Sequence, residues 1–260
     1  MINLILTVKA NIMYKYYFII ALNIILTSKS FGQTMRISTY SGIIYNHSQR
    51  LYQPLGLLND NYHRNFLYGI DVNYEKDRIG YKIGYYRTKF TNVLNFDGSP
   101  DLYFSNKNFI GSITAHIVYL AFSNSVIKKN NYKLNLVFGI DMSYTDRNSY
   151  DGQHYIRDSL YFEDNSYYID LETFIHTIRD RTFGFNFSIE NHFLITDSIS
   201  AFVSMTGRLG FVQAFTLYYK HSFTGIDDGH STNLQDSMVA NKGDFIGLKI
   251  GMQYNFITFK

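Results

Sequence analysis

The amino-acid sequence predicts an all-β fold: an eight-stranded, antiparallel, up-and-down transmembrane β-barrel with four long extracellular loops. Beyond Gln33, apolar side chains alternate with small or polar ones at a period of two residues, which is typical of strands with one apolar face. Short and long connections between these segments alternate along the chain, as in a barrel with turns at one end and loops at the other. No segment beyond Gln33 approaches the run of about 18 apolar residues that a membrane-spanning helix needs, so any membrane location must use strands.

The composition narrows the classes of protein and of site that the chain can form. The 260 residues include no Cys, which excludes disulfides, thiolate metal centres, a Cys nucleophile and a lipid anchor on an N-terminal Cys. The first 32 residues contain three basic side chains, Lys9, Lys15 and Lys29, and no acidic ones. The 24 basic residues of the whole chain include these three, which leaves 21 to balance 21 acidic residues. We therefore predict no nucleic-acid partner.

The N-terminal segment has the layout of a secretory signal. A basic residue precedes the apolar run Tyr16–Leu26, and Ser30 and Gly32 occupy the −3 and −1 positions of a signal-peptidase site. The run has about 11 residues, against the ~20 that a retained membrane helix requires. We predict a signal peptide over 1–32 and a single outer-membrane β-barrel domain over 33–260.

The alternation defines eight strands. The clearest one lies near the C-terminus, where six apolar residues between Ile246 and Phe256 alternate with Gly, Lys, Gln and Asn. The predicted strands cover 36–46, 66–75, 79–85, 108–121, 133–143, 183–190, 199–211 and 246–256. The short connections fall at about 75–78, 123–131 and 195–198, and the long ones at about 47–63, 89–107, 146–181 and 216–243. Both prolines, Pro54 and Pro100, fall in long connections, where no ladder hydrogen bond is lost.

The two faces of the strands differ in size as well as in polarity. The interior of an eight-stranded barrel is just wide enough for side chains to fill, so the face rich in Gly, Ser and Asn should point inward. The Phe and Tyr rows, such as Phe183, Phe185 and Phe187, should then point outward, where lipid suits them and water does not. A soluble lipocalin-like barrel is the alternative, and it would carry more Lys and Glu on its outer face.

These features resemble the small outer-membrane β-barrel proteins, the OmpA/OmpX-like and PorT-like barrels. The resemblance rests on the signal ending Ser30-Phe31-Gly32-Gln33, the eight amphipathic strands, the alternating turns and loops, and a last strand that ends Tyr254-Asn255-Phe256. It implies the outer membrane of a Gram-negative bacterium, contact with membrane lipid and lipopolysaccharide, and insertion by the barrel-assembly machinery, which reads the terminal aromatic residue. We predict no cofactor and no metal.

Charged side chains on the inward face form the first candidate site. Charges removed from water must be paired, so we expect a polar network that stabilises a filled lumen, with a narrow ion path as the alternative. We expect His116 to be a hydrogen-bonded lumen residue rather than a metal ligand. The predicted network consists of Asp71, Lys82, His116, Lys133, Asp141, Glu190, Arg208 and Lys249, with Glu75 beside them.

The long loops form the second candidate site, because recognition residues are usually carried on loops held by a rigid scaffold. The third loop is rich in Tyr and Arg, a composition typical of binding surfaces. Its candidate recognition residues are Tyr150, Tyr155, Arg157, Tyr161, Tyr167 and Tyr168. The alternative is that 160–175 extends the fifth and sixth strands as a hairpin. We predict a non-enzymatic protein with a structural or surface-recognition role and an extracellular ligand of unknown identity.

Two barrel enzymes and one accessory role are the functional alternatives. Asp228-Gly229-His230 matches the Asp-x-His pair of omptin-type proteases, in which the carboxylate orients a general base. The matching Asp-x-Asp pair is absent, and Asp228 is also an ordinary turn former. A lipid A deacylase needs a His-x-Ser motif, whereas the His-Ser pairs here are adjacent. An accessory barrel of a secretion system is the remaining alternative.

Overall fold

The computed structural model describes residues 33–52, 58–60, 63–96, 108–145, 154–162, 165–177, 179–225, 231–233 and 237–259, and the regular structure in these ranges consists of strands. The strands are β1 (Gln33–Tyr52), β2 (Leu58–Asp60), β3 (His63–Lys76), β4 (Ile79–Phe96), β5 (Asn108–Lys128), β6 (Tyr132–Thr145), β7 (His154–Phe162), β8 (Asn165–Thr177), β9 (Arg181–Leu194), β10 (Ile199–Gly210), β11 (Phe215–Gly225), β12 (Ser231–Asn233) and β13 (Ser237–Phe259). The described residues include no helix that is long and apolar enough to cross a bilayer.

Eight of these strands close a barrel. Their order is β1-β3-β4-β5-β6-β9-β10-β13, and β13 pairs back to β1. Every pairing in this cycle is antiparallel, and the closing pair runs from Gln33 opposite Phe259 to Tyr52 opposite Met238. The predicted fold class, a closed eight-stranded antiparallel barrel, is confirmed.

The two ends of the barrel differ. At the short-turn end, two residues join β3 to β4, three join β5 to β6 and four join β9 to β10. Asp77 adopts φ 59° in the first of these turns, a left-handed conformation that Asp tolerates better than most residues. The opposite, long-loop end contains the other connections, as the alternating spacing predicts.

The long connections contain strands that the sequence pattern did not reveal. β6 pairs directly with β9, so 146–180 is an insertion into one connection of the barrel. Within it, β7 and β8 pair as a hairpin, which agrees with the hairpin alternative. The hairpin does not continue β6 and β9, however, because β8 pairs with β11 and β11 pairs with the first residues of β13.

The barrel wall has an apolar outside and a mainly polar inside. Every barrel strand presents exposed large apolar side chains outward, with Phe66, Ile140 and Leu248 each more than 60% exposed. The inward positions of the same strands hold buried Ser, Thr, Asn and charged residues. This is the reverse of a soluble protein and matches the predicted orientation of the two faces.

Glycines on the inner wall make room for aromatic rings inside the lumen. A Cβ added to Gly84 of β4 would lie 2.4 Å from the ring of Tyr119, which is 8% exposed. A Cβ added to Gly251 of β13 would lie 2.6 Å from the ring of buried Phe202. At these two positions the narrow interior holds a large ring because the facing residue is Gly.

We expect Gly84→Ala to lower the free energy of unfolding by about 1–3 kcal/mol, because the new methyl group overlaps the Tyr119 ring. The measurement is a urea titration in lipid vesicles. The same substitution in a Tyr119→Ala background removes the clash and should cost much less. An equal cost in both backgrounds would show that the ring is not the reason for Gly84.

Candidate functional site

The charged side chains inside the barrel form three clusters. Here they are called the Glu75 cluster, near the short-turn end, the Lys82 cluster, and the Arg208 cluster, nearer the long-loop end. The Lys82 and Arg208 clusters each contain a buried ion pair, and the ion pairs of the Glu75 cluster are partly buried. Each cluster includes an ion pair between strands that are not neighbours in the barrel: β3 and β6, β4 and β9, or β6 and β10.

The Lys82 cluster joins three strands across the lumen. The Lys82 ammonium donates hydrogen bonds of 2.9 and 2.6 Å to the two carboxylate oxygens of Glu190 and lies 4.0 Å from Asp71. His192 Nε2 lies 3.1 Å from Glu190 Oε2, and the Ser188 hydroxyl donates to Glu190 Oε1 at 3.3 Å. Lys82 is therefore a shared counterion of two buried carboxylates, and Glu190 has partners at both oxygens.

Tyrosines connect this cluster to the rest of the interior. The Tyr119 hydroxyl donates to Asp71 Oδ2 at 3.1 Å and lies 3.5 Å from the Tyr40 hydroxyl. The Lys249 ammonium lies 5.0 Å from the centre of the Tyr40 ring, a cation–π distance. Lys249 is half-buried and, with Glu190, lines a cavity of about 20 Å³. A cavity of this size holds about one water molecule and is far below the volume of a small-molecule site.

The Arg208 cluster is the most completely buried one. Arg208 Nε and Nη2 donate to Asp141 Oδ1 at 3.0 and 2.7 Å, and neither side chain is exposed. Arg208 Nη1 also donates to the carbonyl oxygens of Lys242 and Gly243 at 3.1 Å each. Asn186 donates to the same Asp141 carboxylate. The guanidinium thus ties β10 to β6 and to β13.

The Glu75 cluster is more accessible. The Glu75 carboxylate accepts a hydrogen bond of 2.6 Å from Arg36 and another from Lys133, and Lys128 lies 3.8 Å away. Three cations around one carboxylate leave excess positive charge at the short-turn end of the lumen. Lys128 is half exposed, so part of this charge faces solvent.

His116 is the exception among the predicted lumen residues. The inward positions of β5 are Ile113, Ala115, Ile117 and Tyr119, all buried, so His116 lies on the outer face. There its Nδ1 lies 2.7 Å from the hydroxyl of exposed Tyr85, and the two rings stack. The prediction was wrong because this strand has small and apolar residues inside, so the polar residue did not mark the inner face.

The structure places the other predicted residues as follows. The side chains of Asp71, Lys82, Lys133, Asp141, Glu190, Arg208 and Lys249 lie on the inner face. Tyr155, Arg157 and Tyr161 lie in β7, and Tyr167 and Tyr168 lie in β8. Tyr150, Asp228, His230 and the predicted signal peptide lie outside the described residues.

Sequence reasoning missed several residues that complete the network. His192 and Asn186 contact the buried carboxylates, and Tyr86, whose hydroxyl donates to Asn186 at 3.0 Å, is buried beside them. Because aromatic residues were expected to point outward, Tyr86 and Tyr119 were not predicted as lumen residues. The alternation of each strand could have identified them, because both tyrosines occupy positions that alternate with the outward residues. Gly84 supplies the space for the Tyr119 ring.

The sequence matches no protein-family model and none of the curated proteins. Solved structures with a similar chain course include the outer membrane protein OprG from Pseudomonas aeruginosa, at 10% identity over 87% of this chain and 96% of that one, with a TM-score of 0.48. Neisserial surface protein A, NspA, is similar at 8% identity over 86% and 99%, with a TM-score of 0.40. Ail, the attachment invasion locus protein of Yersinia pestis, is similar at 11% identity over 87% and 100%, with a TM-score of 0.31. The assignment of a barrel rests on the strand ladder itself.

Proposed function

We propose that this protein is an integral, non-enzymatic outer-membrane β-barrel with a closed lumen and a structural or surface-recognition role at its long-loop end. One observation carries the proposal: all eight barrel strands expose large apolar side chains outward, while buried ion pairs lie inside. Soluble monomers rarely expose contiguous apolar patches beyond a few hundred Å². Lipid is the solvent that suits such a surface, and a closed barrel satisfies its backbone hydrogen bonds without water.

A Gram-negative outer membrane fits the rest of the chain. The predicted signal peptide supplies export, and antiparallel strands joined by short turns at one end are the layout of outer-membrane barrels. Partners in this proposal are membrane lipid, lipopolysaccharide and, during insertion, the barrel-assembly machinery.

The test of this proposal is membrane location combined with heat-dependent migration. The full chain is expressed in a Gram-negative host, the envelope is fractionated, and the outer-membrane fraction is run unboiled and boiled on a detergent gel. We expect the protein in the outer membrane and a shift on boiling, because a closed barrel stays folded in detergent until heated. A protein that is extracted by aqueous buffer and shows no shift would contradict the proposal.

We expect the β7–β8 hairpin to be dispensable for folding of the barrel. Tyr144 of β6 pairs with Arg181 of β9, and the Thr145 amide donates to the Asp180 carbonyl at 2.9 Å. The β6–β9 ladder of the barrel wall is therefore complete without the inserted residues. Replacing 146–179 by an Asn-Gly turn should retain the heat-dependent shift.

The control for the hairpin deletion is removal of 183–190 from β9, which should abolish the shift because it breaks the closed ladder. Loss of the shift in the hairpin variant would show that the insertion is part of the folding unit. Retained folding with loss of cell-surface binding would assign recognition to the hairpin.

A further inference from the structure

The outer wall carries a group of cations near its long-loop end. Arg64 on β3 and Arg87 and Lys89 on β4 are exposed, and each occupies an outward position of its strand. Among the described side chains of β3, β4, β5 and β6, no Asp or Glu occupies an outward strand position. Cations on the lipid-facing surface are costly at the centre of a bilayer and tolerated at its edge. This group therefore marks the level of the headgroups.

A hydrogen bond and the strand pairings hold Arg87 in place. Arg87 pairs with Tyr68 in the β3–β4 ladder, and Arg87 Nη1 donates to the Tyr68 hydroxyl at 2.9 Å. On the other side, Arg87 pairs with His116 of β5. Lys89 lies two residues further along the same face, about 7 Å away. The guanidinium is thus oriented by the wall.

Arg64 lies at the same part of the wall. Asn65 Nδ2 donates to Thr91 Oγ1 at 3.0 Å, and the Thr88 hydroxyl donates to the Phe66 carbonyl at 2.9 Å. These contacts keep β3 beside β4 at the height of Arg64. Neighbouring side chains on one face of paired strands lie about 5–8 Å apart. Continued beyond Tyr68 and Arg87, the β3–β4 register puts Arg64 diagonally across from Lys89, at about 7–8 Å, so one headgroup can contact a cation from each strand.

On the opposite wall, outward cations occur singly among the described strand positions. Arg181 of β9 is exposed at a similar distance from the short-turn end. The outward residues Leu209 of β10 and Ile246 of β13 are apolar and are 55% and 45% exposed. Three cations on two adjacent strands, with no outward carboxylate among the described residues of those strands, therefore distinguish the β3–β4 wall.

We propose that Arg64, Arg87 and Lys89 form a binding site for the phosphate-bearing headgroup of an outer-leaflet lipid. The inference rests on the proposed membrane location and deepens it. Arg and Lys make charge-assisted hydrogen bonds to phosphate oxygens, and Arg binds them with two parallel donors. Below the cations, the outward residues Ile70 and Ile83 continue the apolar surface on which acyl chains lie.

The test measures lipid binding by native mass spectrometry of the refolded protein in dodecyl maltoside micelles, titrated with lipid A or with its dephosphorylated form. Wild type should bind the phosphorylated form selectively. The triple variant Arg64→Gln, Arg87→Gln, Lys89→Gln should bind it at least about tenfold more weakly, because three charge-assisted contacts are lost. The matched control Lys76→Gln, Arg78→Gln, Lys129→Gln removes the same charge from exposed residues at the short-turn end and should bind like wild type.

Each other outcome overturns the site. Equal losses of lipid binding in the triple variant and its control would show that net charge, and not this site, explains binding. Equal binding of both lipids by wild type would show that the phosphate groups are not recognised. The single variants Arg64→Gln and Lys89→Gln test the site if the triple variant does not fold, and each should show a partial loss. Failure of wild type to insert or to shift on boiling would instead contradict the proposed function, so the two failures are distinguishable.

Discussion

Replacing Arg208 by Met is expected to lower the free energy of unfolding by about 3–5 kcal/mol, the cost of leaving a buried charge without its partner. The variant leaves the Asp141 carboxylate with Asn186 as a neutral partner, in a site where neither member of the ion pair is exposed. It also removes the hydrogen bonds to the carbonyls of Lys242 and Gly243. The measurement is a urea titration of the protein in lipid vesicles, with the heat-shifted band as the signal for folded barrel.

The double variant Arg208→Met, Asp141→Asn separates charge pairing from packing. Removing both charges leaves no unpaired ion, so the double variant should be more stable than either single variant. Arg87→Met is the matched control, because Arg87 is exposed on the outer face and its loss should change the stability little. Additive losses in the double variant would show that packing and not pairing of charges explains the effect.

The alternation of side chains was sufficient to predict the barrel but not every residue within it. A period of two assigns whole faces at once, so Phe183, Ile250 and their neighbours fix the outside even where single positions are ambiguous. Arg208 illustrates the strength of parity, since the pairings of β10 continue without a register shift and its side chain lies inside. Parity outweighs polarity at His116, where the residue type pointed inward and the strand register points outward.

The aromatic residues of the lumen and the strands beyond the barrel needed three-dimensional information. Whether a Tyr fits inside depends on the residue opposite it on another strand, as with Tyr119 and Gly84, and one strand's pattern does not contain that. Likewise, β8 and β11 pair across separations of 38 to 58 residues, through contacts that alternation within either segment does not specify. The partner of each buried charge also could not be predicted from one strand's pattern, since Lys82 and Glu190 are 108 residues apart in the sequence.

Replacing Lys82 by Met should have the other large effect on stability, again about 3–5 kcal/mol. Lys82 lies 2.6 Å from Glu190 and 4.0 Å from Asp71, so its loss leaves two buried carboxylates near each other. Glu190→Gln should be milder, about 1–3 kcal/mol, because Lys82 keeps Asp71 as a counterion and the amide can still hydrogen-bond. The order of the two losses, measured by urea titration in vesicles, tests whether Lys82 serves both acids.

The double variant Lys82→Met, Glu190→Gln decides between pairing and volume as the cause. It leaves one buried carboxylate, Asp71, which still accepts a hydrogen bond of 3.1 Å from Tyr119. The double variant should therefore recover part of the stability lost in Lys82→Met alone. Lys76→Met, at an exposed position of β3, is the control for loss of a lysine and should change the stability little. If Glu190→Gln costs as much as Lys82→Met and the double variant recovers nothing, Lys82 does not hold the two carboxylates together, and the lumen is stabilised by packing rather than by its charges.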